Sequence, residues 1–131
     1  MEKTIIDVPH LSDANRKLGS PVSMVVRAGD MIYTCGMPPL DVATGELIQG
    51  DIRAQTRAVL QSLKVCLEAA GSSLEKVVKT TVYVTDPSVT DAVNEIYKEF
   101  FTSNYPARGF AAVKPWPYPF DIEIECIAVA G

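Results

Sequence analysis

The run Val77-Val78-Lys79-Thr80-Thr81-Val82-Tyr83-Val84 constrains this chain more than any other segment, because it is dense in β-branched residues and free of Gly and Pro. Such side chains fit a pleated surface better than a helix, so a strand is expected. Helical periodicity flanks it on both sides. Before it, Val59, Leu60, Leu63, Leu67 and Ala70 recur near a 3.6-residue period. Asp51 stands where this helix needs an N-cap, and Gly71 stands where it must end. After it, Asp86-Pro87 combines an N-cap with a proline at the first helical position, and Val89, Val93, Ile96, Tyr97 and Phe100 share one face. Two amphipathic helices need a broader apolar sheet than one strand can provide.

Further strands are available. Residues 23–27 and 31–36 are short, branched or apolar runs joined by Ala28-Gly29-Asp30, the pattern of a hairpin. Pro38-Pro39 and Ala43-Thr44-Gly45-Glu46 form a loop with its own tight turn. A strand is expected over 108–113, a proline-rich corner over 114–119, and a last strand over 121–129. The chain therefore reads as one domain, residues 1–131, of α+β class. Two helices cover one face of a mixed sheet of five or six strands. Alternation places Val78, Val82 and Val84 on one face and Val77 and Tyr83 on the other. In the last strand Ile122, Ile124, Cys126 and Ala128 oppose Ile127 and Val129. Apolar residues on both faces predict burial of the second face against copies of the same chain.

Composition narrows the function. With 47% hydrophobic and 21% charged residues and a net charge of −4, the chain is of ordinary globular type. No block of Lys or Arg is available to follow a phosphate backbone, which counts against nucleic acid as a partner. No stretch approaches the roughly 20 apolar residues of a membrane span, and residues 1–10 lack a signal-peptide core, so a cytoplasmic location is expected. The three cysteines, Cys35, Cys66 and Cys126, have no CxxC spacing and suit a reducing compartment. His10, the only histidine, reads as a solvated residue near a mobile terminus. Zinc chemistry and a Ser-His-Asp triad both lack their histidine, and neither metal nor cofactor is expected.

Several residues can carry chemistry. Arg108, in Pro106-Ala107-Arg108-Gly109, lies where a loop enters a strand. Its guanidinium there can hold a carboxylate through two parallel hydrogen bonds, or simply face solvent. Glu123 and Glu125 alternate with Ile122 and Ile124 and so share one face. Such a pair can orient water or act as a base, or be the polar side of an edge strand. Cys35 precedes Gly36, whose backbone can approach a ligand closely. Cys35 reads as a nucleophile or as a small buried hydrophobe, and the lack of a nearby histidine favours the second. Trp116, Tyr118 and Phe120 alternate with prolines and fit either a pocket wall or a rigid corner.

In order and spacing these segments resemble the Rid/YjgF family of reactive-intermediate (enamine/imine) deaminases. The resemblance rests on Ala28-Gly29-Asp30 with Tyr33-Thr34-Cys35-Gly36, Thr44-Gly45-Glu46, Gln55-Thr56-Arg57 and Glu68-Ala69-Ala70-Gly71. It continues through Val77 to Val82, Val93-Asn94-Glu95-Ile96-Tyr97, Pro106-Ala107-Arg108, Ile122 to Glu125, and Ile127-Ala128. It implies a chorismate-mutase-like fold, a homotrimer with sites between subunits, and hydrolysis of 2-aminoacrylate-type enamines and imines to 2-keto acids and ammonia without cofactor or metal. It further implies that Arg108 binds the substrate carboxylate, that Glu123 positions the hydrolytic water, and that Cys35 and Gly36 line the pocket. Three positions depart from the family pattern: Val22 where tyrosine is frequent, Cys35 where serine is common, and Phe110 where cysteine is frequent. The stretch 116–120 is also unusual. A less polar pocket around a small carboxylated substrate is expected, bounded by Arg108, Cys35, Gly36, Val22 and Phe110. A 2-aminomuconate-type deaminase and a non-catalytic carboxylate-binding or chaperone module are the alternatives. Some members of the family have been assigned ribonuclease or translation-inhibiting roles, which the acidic charge disfavours here.

Overall fold

The computed structural model describes residues 1–131. Its strands are β1 (Lys3–Ile6), β2 (Val25–Ala28), β3 (Met31–Thr34), β4 (Val77–Val84), β5 (Ala107–Ala112) and β6 (Ile122–Val129). Its helices are α1 (Leu11–Leu18), α2 (Ile52–Ala69) and α3 (Thr90–Phe100).

The expected helix signals act as physical chemistry requires. Asp51 has extended backbone geometry, and its carboxylate accepts from the Ala54 N–H at 2.9 Å, satisfying one of the free donors of α2. Gly71 takes φ +82°, and the Ser72 N–H turns back to the Leu67 carbonyl at 2.8 Å, which closes α2. The start of α3 is later than Asp86-Pro87 suggests. Asp86 accepts from the Ser88 N–H at 2.9 Å and initiates a single 3-10 turn over Pro87–Val89, and the α-helix begins at Thr90.

The strands form one sheet in the order β1-β2-β3-β6-β4-β5. Only β4 and β5 pair in parallel, joined by the α3 crossover, so the sheet is mixed. Both long helices lie on one face, where Val59, Leu60, Leu63 and Leu67 of α2 and Val93 and Ile96 of α3 pack on Ile32, Val82, Ile122 and Ile124. This is the α+β arrangement expected from the sequence.

Three expectations need correction. First, the amino-terminal segment is anchored, not loose. Strand β1 pairs with β2, Val8 and Leu11 are fully buried, and the Val8 N–H donates to Ser12 Oγ at 2.8 Å. His10 is exposed but held at the start of α1 with φ +68°, its carbonyl accepting from the Ala14 N–H. A four-residue strand and an eight-residue helix are too short for periodicity to reveal.

Second, Val77 is 6% exposed and Val78 46%, the reverse of the expected faces. Val77 pairs with Ala128 and Lys79 with Ile127, so a bulge between them leaves Val78 over and flips the alternation. Beyond the bulge, Val82 and Val84 point into the core as expected.

Third, the uncovered face is only half apolar. One row across the sheet reads Ile5, Val26, Tyr33, Ile127, Lys79. The next rows place Glu125 opposite Thr81 and Glu123 opposite Tyr83. The β1-β2-β3 half is thus apolar, and the β6-β4 half carries the polar groups. No helix is long and apolar enough to cross a membrane.

Candidate functional site

The two glutamates of β6 share a face but not an environment. The Tyr83 hydroxyl donates to Glu125 Oε1 at 2.6 Å. Glu123 has no such donor, and its carboxyl is pushed up from 4.5 to about 7, chiefly by burial and then by the negative Glu125. The group is therefore poised to exchange a proton near neutral pH, as a general base must be.

Glu123 faces a cavity of about 350 Å³ walled by α1, the 20–24 segment, the end of β3, the 38–47 loop and the corner at Tyr118 and Phe120. Gly36 stands against Glu123: a Cβ there would fall 2.5 Å from Glu123 Oε1. The missing side chain thus gives the carboxylate its room. Val22 and Cys35 line the same cavity. The Cys35 thiol is pushed up to about 12, first by burial and then by Glu123, and its Sγ lies 3.6 Å from Met24 Sδ. It is a protonated, packed thiol at neutral pH, in keeping with the buried-hydrophobe reading. Both readings of the proline-rich corner hold in part. Trp116 stacks on Phe120 with centroids 4.8 Å apart, a rigid packing, while Tyr118 and Phe120 also line the cavity.

Arg108 sits elsewhere. On β5 it pairs with Thr80, whose own partner on β6 is Cys126. Thr80 and Cys126 are buried under the helices, so Arg108 belongs to the helix-covered face at the sheet edge. Its guanidinium carbon lies 4.9 Å from the Tyr97 ring centroid and 5.4 Å from that of Phe110. Its Nη1 donates to Asn94 Oδ1 at 2.8 Å. Tyr97 is itself fixed by a 2.9 Å hydrogen bond between its hydroxyl and Thr80, and by Phe101 at 4.6 Å. Arg16, Arg53 and Arg57 all pair with carboxylates, whereas Arg108 has none. A cation stacked on two rings, braced by an amide and left without an acid presents its remaining N–H groups to an outside anion. Lys98, Tyr105 and Pro106 complete a cup of about 270 Å³ around it.

The expected residues thus fall into two groups. Val22, Cys35, Gly36 and Glu123 come together on the uncovered side; Arg108 and Phe110 come together on the helix side. Strand β4 lies between them, and Arg108 and Glu123 are on opposite faces of the sheet. One chain does not assemble both. Sequence reasoning missed Asn94 as the brace of Arg108 and treated Tyr97 as core alone. Their spacing of three on α3 puts them on one face, and the parallel crossover brings that face over β5. No group of three or more His, Cys, Asp or Glu side chains is arranged to hold a metal ion.

The family model described as endoribonuclease L-PSP matches residues 16–130. A RutC family protein of Pyrococcus horikoshii is 42% identical over 122 residues, covering 93% of this chain and 96% of that protein. A human protein named 2-iminobutanoate/2-iminopropanoate deaminase is 38% identical over 111 residues, covering 85% of this chain and 81% of its own length. Among solved structures, Escherichia coli TdcF with bound serine superposes with a TM-score of 0.79 at 36% identity, covering 86% of this chain and 90% of that one.

Proposed function

The chain belongs to the Rid/YjgF family, the family of the endoribonuclease L-PSP model, and on that premise we propose that it hydrolyses small carboxylated imines and enamines to 2-keto acids and ammonia. The observation that carries this reading is Arg108: a guanidinium held against the Tyr97 and Phe110 rings, braced by Asn94 and lacking an acidic partner. Such a group suits a carboxylate or another small oxyanion better than an apolar ligand. The 38% identity to a protein named as an imine deaminase, and a related structure with serine bound, point to the same ligand chemistry.

The reaction needs Arg108 and Glu123 in one site, so the reading includes assembly. Copies associate through the uncovered sheet face as a trimer, and Arg108 of one copy meets the Glu123 cavity of the next. The half-apolar face with Ile5, Val26, Tyr33 and Ile127 supports such burial. The carboxylate of the substrate is clamped by Arg108, which fixes the imine carbon against Glu123. Glu123, ionised at and above about pH 7, takes a proton from water as that water bonds to the imine carbon. The protonated imine nitrogen takes up the electron pair of the C=N bond, and Glu123 then returns its proton to that nitrogen. As the C–N bond breaks and ammonia leaves, the carbinolamine hydroxyl gives its proton to Glu123 and the keto acid remains, an enamine entering by prior tautomerisation to the imine. Cys35 keeps its proton throughout and serves as wall. The net charge of −4 counts against RNA as the main partner despite the family description.

The test generates 2-iminopropanoate with an amino-acid oxidase and follows its decay. Acceleration is expected, and Arg108→Ala is expected to lower kcat/KM by about 10³-fold, the scale of losing one partner of a desolvated charge pair. No acceleration at high protein concentration would overturn the proposal in favour of a binding role.

A further inference from the structure

The cavity beside Glu123 extends well beyond what a reacting carbon and a water occupy, and most of its lining surface is apolar. Leu18, Val22, Leu40, Leu47, Tyr118 and Phe120 face it. Its volume of about 350 Å³ is that of a pocket for a small organic group and not a crevice for solvent. A side chain of one or two carbons would leave most of it empty.

From this we infer that the cavity is a side-chain pocket, and that the preferred substrates are imines or enamines whose 2-substituent is large and apolar, of aliphatic or aromatic type. The inference rests on the deaminase reading for the site's orientation. With the carboxylate clamped by Arg108 of another copy and the reacting carbon at Glu123, the cavity is the recess that this chain offers the substituent. The charges in the lining set the class. Glu46 and Glu123 are acidic and Lys17 is basic. Lys17 and Glu46 are exposed on the rim, whereas Glu123 stands at the reacting end and repels a second carboxylate in the substituent. An acidic substituent is therefore disfavoured, and an apolar one gains by leaving water.

The position of Val22 fits this use. It is 48% exposed and lies at the opening of the cavity, where a larger side chain would narrow the entrance. Leu18 is 60% exposed on α1, so a larger side chain at 18 fills the space without disturbing the core.

The experiment compares imines formed in situ by amino-acid oxidases from alanine, leucine, phenylalanine and glutamate. The leucine- and phenylalanine-derived imines are expected to show kcat/KM at least about tenfold above the alanine-derived one, the scale that apolar pockets give per buried group, with the glutamate-derived imine lowest. Leu18→Trp is expected to cut the phenylalanine-to-alanine ratio by about tenfold or more, and Leu47→Trp, from the 38–47 loop that also lines the cavity, is expected to lower it in the same direction. Turnover of all four imines at similar kcat/KM, with the ratio unmoved by Leu18→Trp, would overturn the inference and leave the deaminase reading intact. If no imine is turned over, the deaminase reading falls, and calorimetry with the corresponding 2-keto acids decides the pocket on its own. Phenylpyruvate binding about tenfold tighter than pyruvate upholds it, and equal binding overturns it.

Discussion

The two halves of the candidate site differ in almost every physical respect. At Arg108 the chain builds an open cationic cup: the charge is fully formed, stacked on Tyr97 and Phe110, and fixed by one amide. At Glu123 it builds a recess in which burial and a neighbouring acid push the carboxyl up to about 7. A ligand-gripping group needs a permanent charge and a fixed direction; a proton-handling group needs a charge that can be lost. The difference is achieved by topology. The parallel β4/β5 pair places Arg108 under α3, while the antiparallel β6 turns Glu123 to the other side of the same sheet. On the proposed reading, neither half is a site by itself.

The largest expected effect follows from that separation. Arg108→Ala and Glu123→Gln are each expected to abolish most imine hydrolysis, the second by about 10²-fold or more with loss of the rise in kcat/KM through about pH 7. The two variants, co-expressed with different tags and isolated on both, are expected to regain activity. In a closed ring of three, every mixed assembly contains one pair in which an intact Arg108 faces an intact Glu123, so about a third of wild-type activity returns. If both halves came from a single chain, no mixed assembly would hold an intact site and activity would stay absent.

How much of this was legible in the sequence differs between the two halves. Periodicity and caps gave both long helices, because Asp51 and Gly71 act locally. The strand pattern of β6 correctly placed Glu123 and Glu125 on one face, since alternation needs no tertiary knowledge. It could not say which glutamate is bonded and which is bare, because that depends on Tyr83 across the sheet. The bulge at Val78 and the anchoring of β1 and α1 were invisible for a similar reason: each is fixed by pairing with residues distant in the chain. From its neighbours in the chain alone, Arg108 reads as a carboxylate holder or as a solvent-facing side chain. Its stacking partners come from α3 and β5, so only the assembled crossover reveals that it is held.

A smaller effect is expected at Gly36. Its φ is not in the left-handed region, so alanine is tolerated by the backbone, and only the contact 2.5 Å from Glu123 Oε1 opposes it. Gly36→Ala is expected to displace the carboxylate and to lower kcat/KM by about tenfold, with destabilisation of about 1–2 kcal/mol. In a Glu123→Ala background the obstructing oxygen is gone, and the same substitution is expected to change the melting temperature little. Equal effects in both backgrounds would mean that Gly36 serves the backbone and not the carboxylate.

The smallest effect separates the halves by pH. The Glu123 carboxyl titrates near 4.5 when free and near 7 in the fold. Between those values the folded chain holds a proton that the unfolded chain releases, so stability falls as pH rises from about 4.5 to about 7 and is level above. Glu123→Gln removes the ionisation and keeps the shape. With roughly 1 kcal/mol surviving solvent screening, the variant is expected to melt about 3–6 °C above wild type at pH 8 and level with it near pH 4. Differential scanning calorimetry at one fixed protein concentration checks this, since association also shifts the midpoint. Val93→Ala, in the core on the helix-covered face, offers the control, because it removes no ionisable group. Its difference from wild type is expected to hold constant with pH. A Glu123→Gln difference that was equally flat would place the carboxyl at its ordinary value and remove the contrast on which the proton-handling role depends.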